Sequence, residues 1–262
     1  MTDDLEHIQE NVPYKELIPF AESIHSDRLL RENNEKMRQE FTANVSHELK
    51  TPLTSISGYA ELIETGIAKS ADVPEFGRKI HVEASRMIQL VNDILQLSHL
   101  DNVSETNDTP QMETVDLLDV AKECVERQKV NSQKSFISLT YLGESAPVLG
   151  SRSCWMSCVR TFATTPSGTT APAERSSSSP PAHGWHCTLT VKDNGIGIPK
   201  EAQSSVFERF YRVDKSRSKA TGGTGLGLAI VKHIARIHNA RIRLESEINV
   251  GTTITVVFET AH

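Results

Sequence analysis

One apolar stripe, forty residues long, constrains this chain more than any other feature. Between residues 26 and 66, Leu29, Leu30, Met37, Phe41, Val45, Leu49, Leu53, Ile56, Ala60 and Ile63 recur in steps of three, four and seven. That is the period of a helix with one buried face. Glu, Lys, Arg and Asn fill the other face. Pro52 interrupts the pattern, and a proline inside a helix removes one backbone donor and frees a carbonyl one turn upstream. Gly66 is the expected stop. A second stripe follows at about 73–100, on Val73, Phe76, Ile80, Ala84, Met87, Val91, Ile94 and Leu97. Two long amphipathic helices joined by a short loop form a hairpin, which alone cannot bury both stripes. Pairing with a second copy, giving a four-helix bundle, is the simplest solution.

The remaining chain has a different texture. DNVSETNDTPQME, at 101–113, is polar and rich in breakers, and reads as a linker. Beyond it, Val115–Val130 reads as helix, Ser135–Tyr141 and Thr188–Val191 as strands, Leu226–Ile237 as a strong helix, and Ile242–Glu247 and Thr252–Phe258 as strands. The mixture specifies a second, α/β-type domain. The chain of 262 residues thus divides into 1–25, a helical domain at 26–101, a linker at 102–113 and an α/β domain from 114 to 262. The net charge of −6 argues against a nucleic-acid partner held by bulk electrostatics. No apolar run of 18 residues exists, the start Met1-Thr2-Asp3-Asp4 is no secretory signal, and four cysteines do not make a disulfide framework. A soluble, cytoplasmic chain is expected.

Chemistry concentrates in three places. The first is Ser46-His47-Glu48-Leu49-Lys50-Thr51-Pro52, within the first stripe. An imidazole with one nitrogen free of its proton is a good nucleophile, and an adjacent carboxylate can orient it or take its proton. Thr51 lies one turn beyond His47. The second is Asp193-Asn194-Gly195-Ile196-Gly197-Ile198, where a strand delivers a carboxylate into a turn that glycines keep tight. The third is Gly222-Gly223-Thr224-Gly225-Leu226-Gly227-Leu228, running into a helix. Glycines ahead of a helix expose backbone N–H groups and the positive end of its dipole to an anion.

These segments resemble sensor histidine kinases of two-component systems, in flavour the PhoR-like class. FTANVSHELKTPL (Phe41–Leu53) is similar to their H-box, and the hairpin to their dimerisation and histidine-phosphotransfer domain. DNGIGI, VFERFYRVDKSRS (Val206–Ser218) and GGTGLGL resemble the G1, F and G2 boxes of their ATP-binding domain, an α/β sandwich of the Bergerat type. The resemblance implies a fold, a helical hairpin forming a dimeric four-helix bundle followed by that sandwich, and an activity. His47 takes the γ-phosphoryl group of ATP and passes it to an aspartate on the receiver domain of a response regulator. Glu48 assists as base, and Thr51 orients water in the reverse, phosphatase reaction. It also implies that Asp193 bonds the adenine amino group and that Gly195 and Gly197 begin the lid. Phe207 and Phe210 pack that lid, and Arg209, Arg212 or Lys215 approach the phosphates. Gly223, Gly225, Leu226 and Gly227 line the triphosphate. Mg2+ accompanies the ATP. Such kinases usually carry transmembrane sensor helices, absent here; 1–25 reads as a membrane-proximal linker remnant, placing the chain on the cytoplasmic face of a membrane if it is a truncation.

One expected box is missing. The family places an asparagine-rich helix, which supplies the Mg2+ ligand, before G1, near 153–172. The sequence there, SCWMSCVRTFATTPSGTTAPAERSSSSPPAHG, contains no asparagine. Its Ser, Thr, Pro and Gly content reads as an irregular segment over 153–183 with no apolar stripe. Cys154, Cys158, His183, His186 and Cys187 fit no short zinc spacing. A shifted reading frame accounts for the segment better. Read two bases late from Ser153, with synonymous third bases chosen freely, residues 153–177 become LLDELRTNLCDNAIRYNRPGGTVEL, which restores the box and a helical apolar period. The frame returns by about His183–Trp185. The chain as written is therefore expected to be an impaired kinase, or alternatively a catalytically dead dimeric scaffold or a phosphatase-only remnant.

Overall fold

The computed structural model describes residues 18–106, 111–134, 140–163, 169–176, 186–213 and 223–259. The chain forms two compact units, Met1–Ala84 and Ser85–His262. Helix α1 spans Ile18–Glu64 and continues unbroken through Pro52. It stops where the sequence places the stop. Gly66 takes a left-handed φ of 70°, and the Gly66 and Ala68 amides donate to the Ile63 and Leu62 carbonyls. Helix α2 spans Val73–Thr106, five residues past the expected end of the hairpin, so the linker shortens. In the first unit, Tyr59 of α1 meets Phe76 of α2 with ring centroids 5.3 Å apart.

The second unit begins with the last part of α2. Its buried stripe is Leu90, Asp93, Leu97 and Leu100. Strand β1 (Glu113–Asp116) pairs antiparallel with β3 (Pro147–Gly150). Helix α3 (Leu117–Lys134) starts at Asp116, whose Oδ1 accepts the Leu118 and Ala146 amides while Oδ2 accepts the Ser145 hydroxyl. Burial pushes that carboxyl up, but these three donors outweigh burial and hold it below its ordinary pKa.

The main sheet has five strands: β2 (Thr140–Gly143), β4 (Thr169–Ser176), β5 (His186–Asp193), β6 (Arg241–Glu247) and β7 (Gly251–Glu259). Their order is β2-β4-β5-β7-β6, parallel only between β2 and β4. Cys187, Leu189 and Val191 on β5 and Ile254, Val256 and Phe258 on β7 are buried with a period of two. Helices α3, α4 (Arg152–Ala163) and α5 (Gly227–Ile237) supply the rest of the core, with α4 packed against both others. Val120, Ala121 and Cys124 of α3 and Ile230, Val231 and Ile234 of α5 are fully or nearly fully buried.

Helix α4 and strand β4 correct the sequence reading of 153–183 as irregular. Cys154, Trp155, Cys158 and Val159, at i, i+1, i+4 and i+5, form a buried stripe that the segment's overall Ser, Thr and Pro content conceals. Trp155 is fully buried, its ring 4.3 Å from His238 and 4.7 Å from Phe258 by centroids. Residues 164–168 and 177–185 lie outside the described residues.

Candidate functional site

His47 stands on α1 with its side chain 79% exposed, its Nδ1 4.0 Å from Glu48 Oε1. Thr51 Oγ1 donates to the His47 carbonyl at 3.3 Å. The hydroxyl one turn on is therefore tied to the backbone of His47 and not to its ring. Four side chains in this stretch repeat that bond: Thr42, Ser46, Thr54 and Ser55 donate to the carbonyls four residues back. The helix thus presents the imidazole to solvent from a surface whose hydroxyls are already engaged.

In the second unit the F and G2 segments meet each other, and the Asp193 turn packs on the β6–β7 hairpin. Asp193 ends β5, and its Oδ1 accepts the Gly195 amide at 2.7 Å, which shapes the turn. Gly197 is left-handed at 71°, and a Cβ there would lie 2.0 Å from the Glu247 carbonyl oxygen. No other residue fits a turn pressed so closely on the β6–β7 hairpin. Phe210 adopts a positive φ of 62°, and its amide donates to the Gly225 carbonyl at 2.9 Å. Gly225 is left-handed too, with Phe210 backbone 3.0 Å from where its Cβ would stand. A guanidinium nitrogen of Arg212 donates to the Gly223 carbonyl. The F and G2 segments thus clasp each other, with Leu226 fully buried at the start of α5. Phe207 is half-buried beside the buried Val206. Lys215 lies outside the described residues.

The sequence reading missed what α2 contributes. Asp93, 7% exposed, accepts the Thr224 hydroxyl at 2.7 Å and the Gln89 amide at 2.6 Å. Thr224 Oγ1 in turn lies 3.3 Å from the Leu226 amide. Farther along, one guanidinium nitrogen of Arg209 reaches both Asp101 oxygens, at 2.9 and 3.0 Å, and His233 Nδ1 lies 3.3 Å from Asp101 Oδ1. Burial holds the His233 pKa below its ordinary value although the Asp101 charge opposes it. The sequence stripe runs through Val91 and Ile94, whereas the structure buries Leu90, Asp93 and Leu97 and leaves Val91 41% exposed.

Helix α4 contacts the G2 segment through Thr161, whose Cγ2 lies 2.5 Å from where a Cβ on Gly227 would stand. Its other donors are spoken for. Thr161 Oγ1 donates to the Ser157 carbonyl, and Ser157 exchanges hydrogen bonds with Gln96. From Arg152 to Ala163 the helix has no carboxylate or amide side chain. This donor set does not fit Mg2+, which takes oxygen ligands in near-octahedral array. Its thiols are no substitute: burial raises the Cys154 pKa and raises that of Cys158 further, so both stay protonated.

Comparison with known proteins decides the family. Residues 37–103 match the His Kinase A (phospho-acceptor) domain. Residues 168–262 match the histidine kinase-, DNA gyrase B- and HSP90-like ATPase domain, a match that begins after α4. The chain is similar to the sensor-like histidine kinase SenX3 of Mycolicibacterium smegmatis, 38% identical over 246 residues, covering 90% of this chain and 61% of the relative. It is 40% identical over 228 residues to the sensor protein kinase WalK of Staphylococcus aureus, covering 85% of this chain and 54% of the relative.

This chain belongs to the sensor histidine kinases. It carries their helical-hairpin phosphoacceptor region followed by their α/β ATPase domain, and the PhoR-like flavour is consistent with the likeness to SenX3. It spans about half to three fifths of the length of these curated relatives. The histidine kinase ThkA, solved in complex with the response regulator protein TrrA, shares the fold with a TM-score of 0.63 at 18% identity, over 90% of this chain and 66% of that one. Among the described residues, no helix is long and apolar enough to cross a membrane.

Proposed function

We propose that this chain is the catalytic part of an ATP-dependent protein-histidine kinase whose phosphoacceptor is His47. The observation that carries the reading is an imidazole 79% exposed, with a carboxylate 4.0 Å away, in a chain whose second unit ends β5 on Asp193 and sets the G2 glycines ahead of a helix N-terminus. ATP enters with its adenine amino group toward Asp193 and its phosphates toward Gly223, Gly225 and Gly227, where backbone N–H groups and the α5 dipole favour anions. Phe207 and Phe210 pack the lid over it, with Arg212 beside the phosphates. A ring nitrogen of His47 attacks the γ-phosphorus. The N–P bond forms, the bond from that phosphorus to the β,γ-bridging oxygen breaks, ADP leaves, and Glu48 takes the imidazole proton. The phosphoryl group then passes to an aspartate on a response-regulator receiver domain. Thr51 orients water in the reverse reaction, once its hydroxyl turns from the His47 carbonyl.

The active species is a homodimer, because Leu29, Leu30, Met37 and Leu53 of α1 stay exposed in the single chain and a second hairpin would cover them. It works in the cytoplasm, at the membrane face where a longer protein carries sensor helices.

A second reading applies to the chain as written. Residues 153–177 are an out-of-frame translation that builds a packed helix without a Mg2+ ligand. The chain is then an impaired kinase, a dimeric scaffold or a phosphatase-only remnant. The nucleotide sequence across codons 150–185 tests the frame directly. For the assignment of His47, a frame-restored chain incubated with ATP should acquire an acid-labile, base-stable phosphoryl label. His47→Gln should abolish it with the fold intact. Normal labelling of His47→Gln overturns the assignment.

A further inference from the structure

The Asp93 carboxylate is buried at 7% exposure with two neutral partners, the Gln89 amide at 2.6 Å and the Thr224 hydroxyl at 2.7 Å. Thr224 sits among the G2 glycines, and its Oγ1 lies 3.3 Å from the Leu226 amide, at the N-cap of an 11-residue helix. A buried negative charge is therefore one hydroxyl away from the helix end that a polyphosphate would use. Taking a carboxylate out of water without a cation is costly, so a position like this is informative when it occurs. Two anions at one helix end compete, because the dipole that stabilises either is shared and their mutual repulsion is weakly screened where water is excluded.

We propose that Asp93 is a positioning residue that restrains the phosphate loop from helix α2, so that nucleotide phosphates and the α2 contact compete for the same loop. The proposal rests on reading the G2 segment as a phosphate site. It assigns Asp93 no contact with substrate; the residue acts through Thr224. Linkage makes the effect reciprocal: what holds α2 against the loop weakens phosphate binding, and phosphate binding loosens α2 from the loop by the same factor.

The test uses the full chain with three probes, ATP, ADP and adenosine, and two variants. Asp93→Asn keeps an acceptor for Thr224 and removes the charge. Its ADP and ATP dissociation constants should fall about threefold to tenfold, while that of adenosine stays within about twofold. A residue with only a structural role shifts all three together, and unchanged or jointly weakened affinities overturn the proposal. Asp93→Ala removes the acceptor as well. Without any nucleotide, amide exchange at 224–230 should accelerate about tenfold or more, with exchange in β5 and β7 unchanged. Unaltered exchange at 224–230 overturns the restraint. Because exchange is read without ligand, it stands even if adenosine, ADP and ATP all fail to bind; that failure contradicts the reading of the site and not the restraint.

Discussion

Helices α4 and α5 lie in one layer over the same sheet, and both are packed, yet they differ in what they offer a nucleotide. Helix α5 buries Ala229, Ile230, Val231, Ile234 and Ala235 and begins at a glycine loop held by Phe210 and Arg212. Helix α4 buries Cys154, Trp155, Cys158 and Val159 and offers no carboxylate or amide. Packing asks only for apolar volume at the right period, and many residue types meet it. Coordination asks for a particular atom at a particular place. A segment can therefore lose its chemistry and keep its shape.

The largest effects test whether α4 is as much a part of the core as α5. Ile234→Asp places an unpaired charge at a fully buried position and should unfold the second unit. Trp155→Ala should cost about 3–5 kcal/mol, read by denaturant unfolding. Trp155→Phe should cost less than Trp155→Ala, since the phenyl ring keeps part of the packed volume and the buried indole Nε1 has no partner among the described residues to lose. A Trp155→Ala cost below about 1 kcal/mol would mean that α4 is not packed as described.

An intermediate effect probes the contact between the two helices. Gly227→Ala puts a methyl against Thr161 Cγ2 and should cost about 1–3 kcal/mol. Thr161→Ser removes that methyl and keeps the hydroxyl, so the double variant should recover much of the loss. Strict additivity would show that the two residues do not meet.

The smallest effect is pH-dependent. His238 closes α5 and caps α4: its Nδ1 donates to the Ile234 carbonyl at 2.7 Å, and its Nε2 accepts the Ser151 amide at 3.1 Å. Burial lowers its pKa, against the pull of the Ile234 carbonyl, and burial lowers that of His233 too. A group with a depressed pKa binds fewer protons folded than unfolded. Full stability therefore holds above the unfolded imidazole pKa of about 6.5 and declines as pH falls through the lower folded values. The melting midpoint of the second unit should drop between pH 7.5 and 5.5, and less in His238→Gln. An equal drop in both would remove His238 from the account.

Much of this fold was legible because its elements repeat their period over many residues. The stripe from Leu29 to Ile63, the stop at Gly66 and the strands around Leu189 and Val256 follow from spacing alone. Helix α4 was not legible, because its four buried residues occupy only the first part of a segment whose composition argues the other way. The site split along the same line. The turn at Asp193 and Gly197 and the clasp of Phe210 and Arg212 on Gly225 and Gly223 were legible, since each is local and needs residues that permit positive φ or close approach. Asp93 and Asp101 reach the G2 and F segments from α2, far away in sequence, which no local pattern encodes.

Helix α4 is packed, yet it offers no carboxylate or amide to a nucleotide-bound cation. The direct measurement is a comparison of this chain with a frame-restored one, for Mg·ATP affinity and for autophosphorylation at His47. The frame-restored chain should label His47 at least about a hundredfold faster, the scale of losing one preorganised electrostatic partner, and should bind Mg·ATP more tightly. Both chains should dimerise equally. Equal labelling and equal affinity would contradict the account, because the helix as it stands would then supply everything the reaction needs.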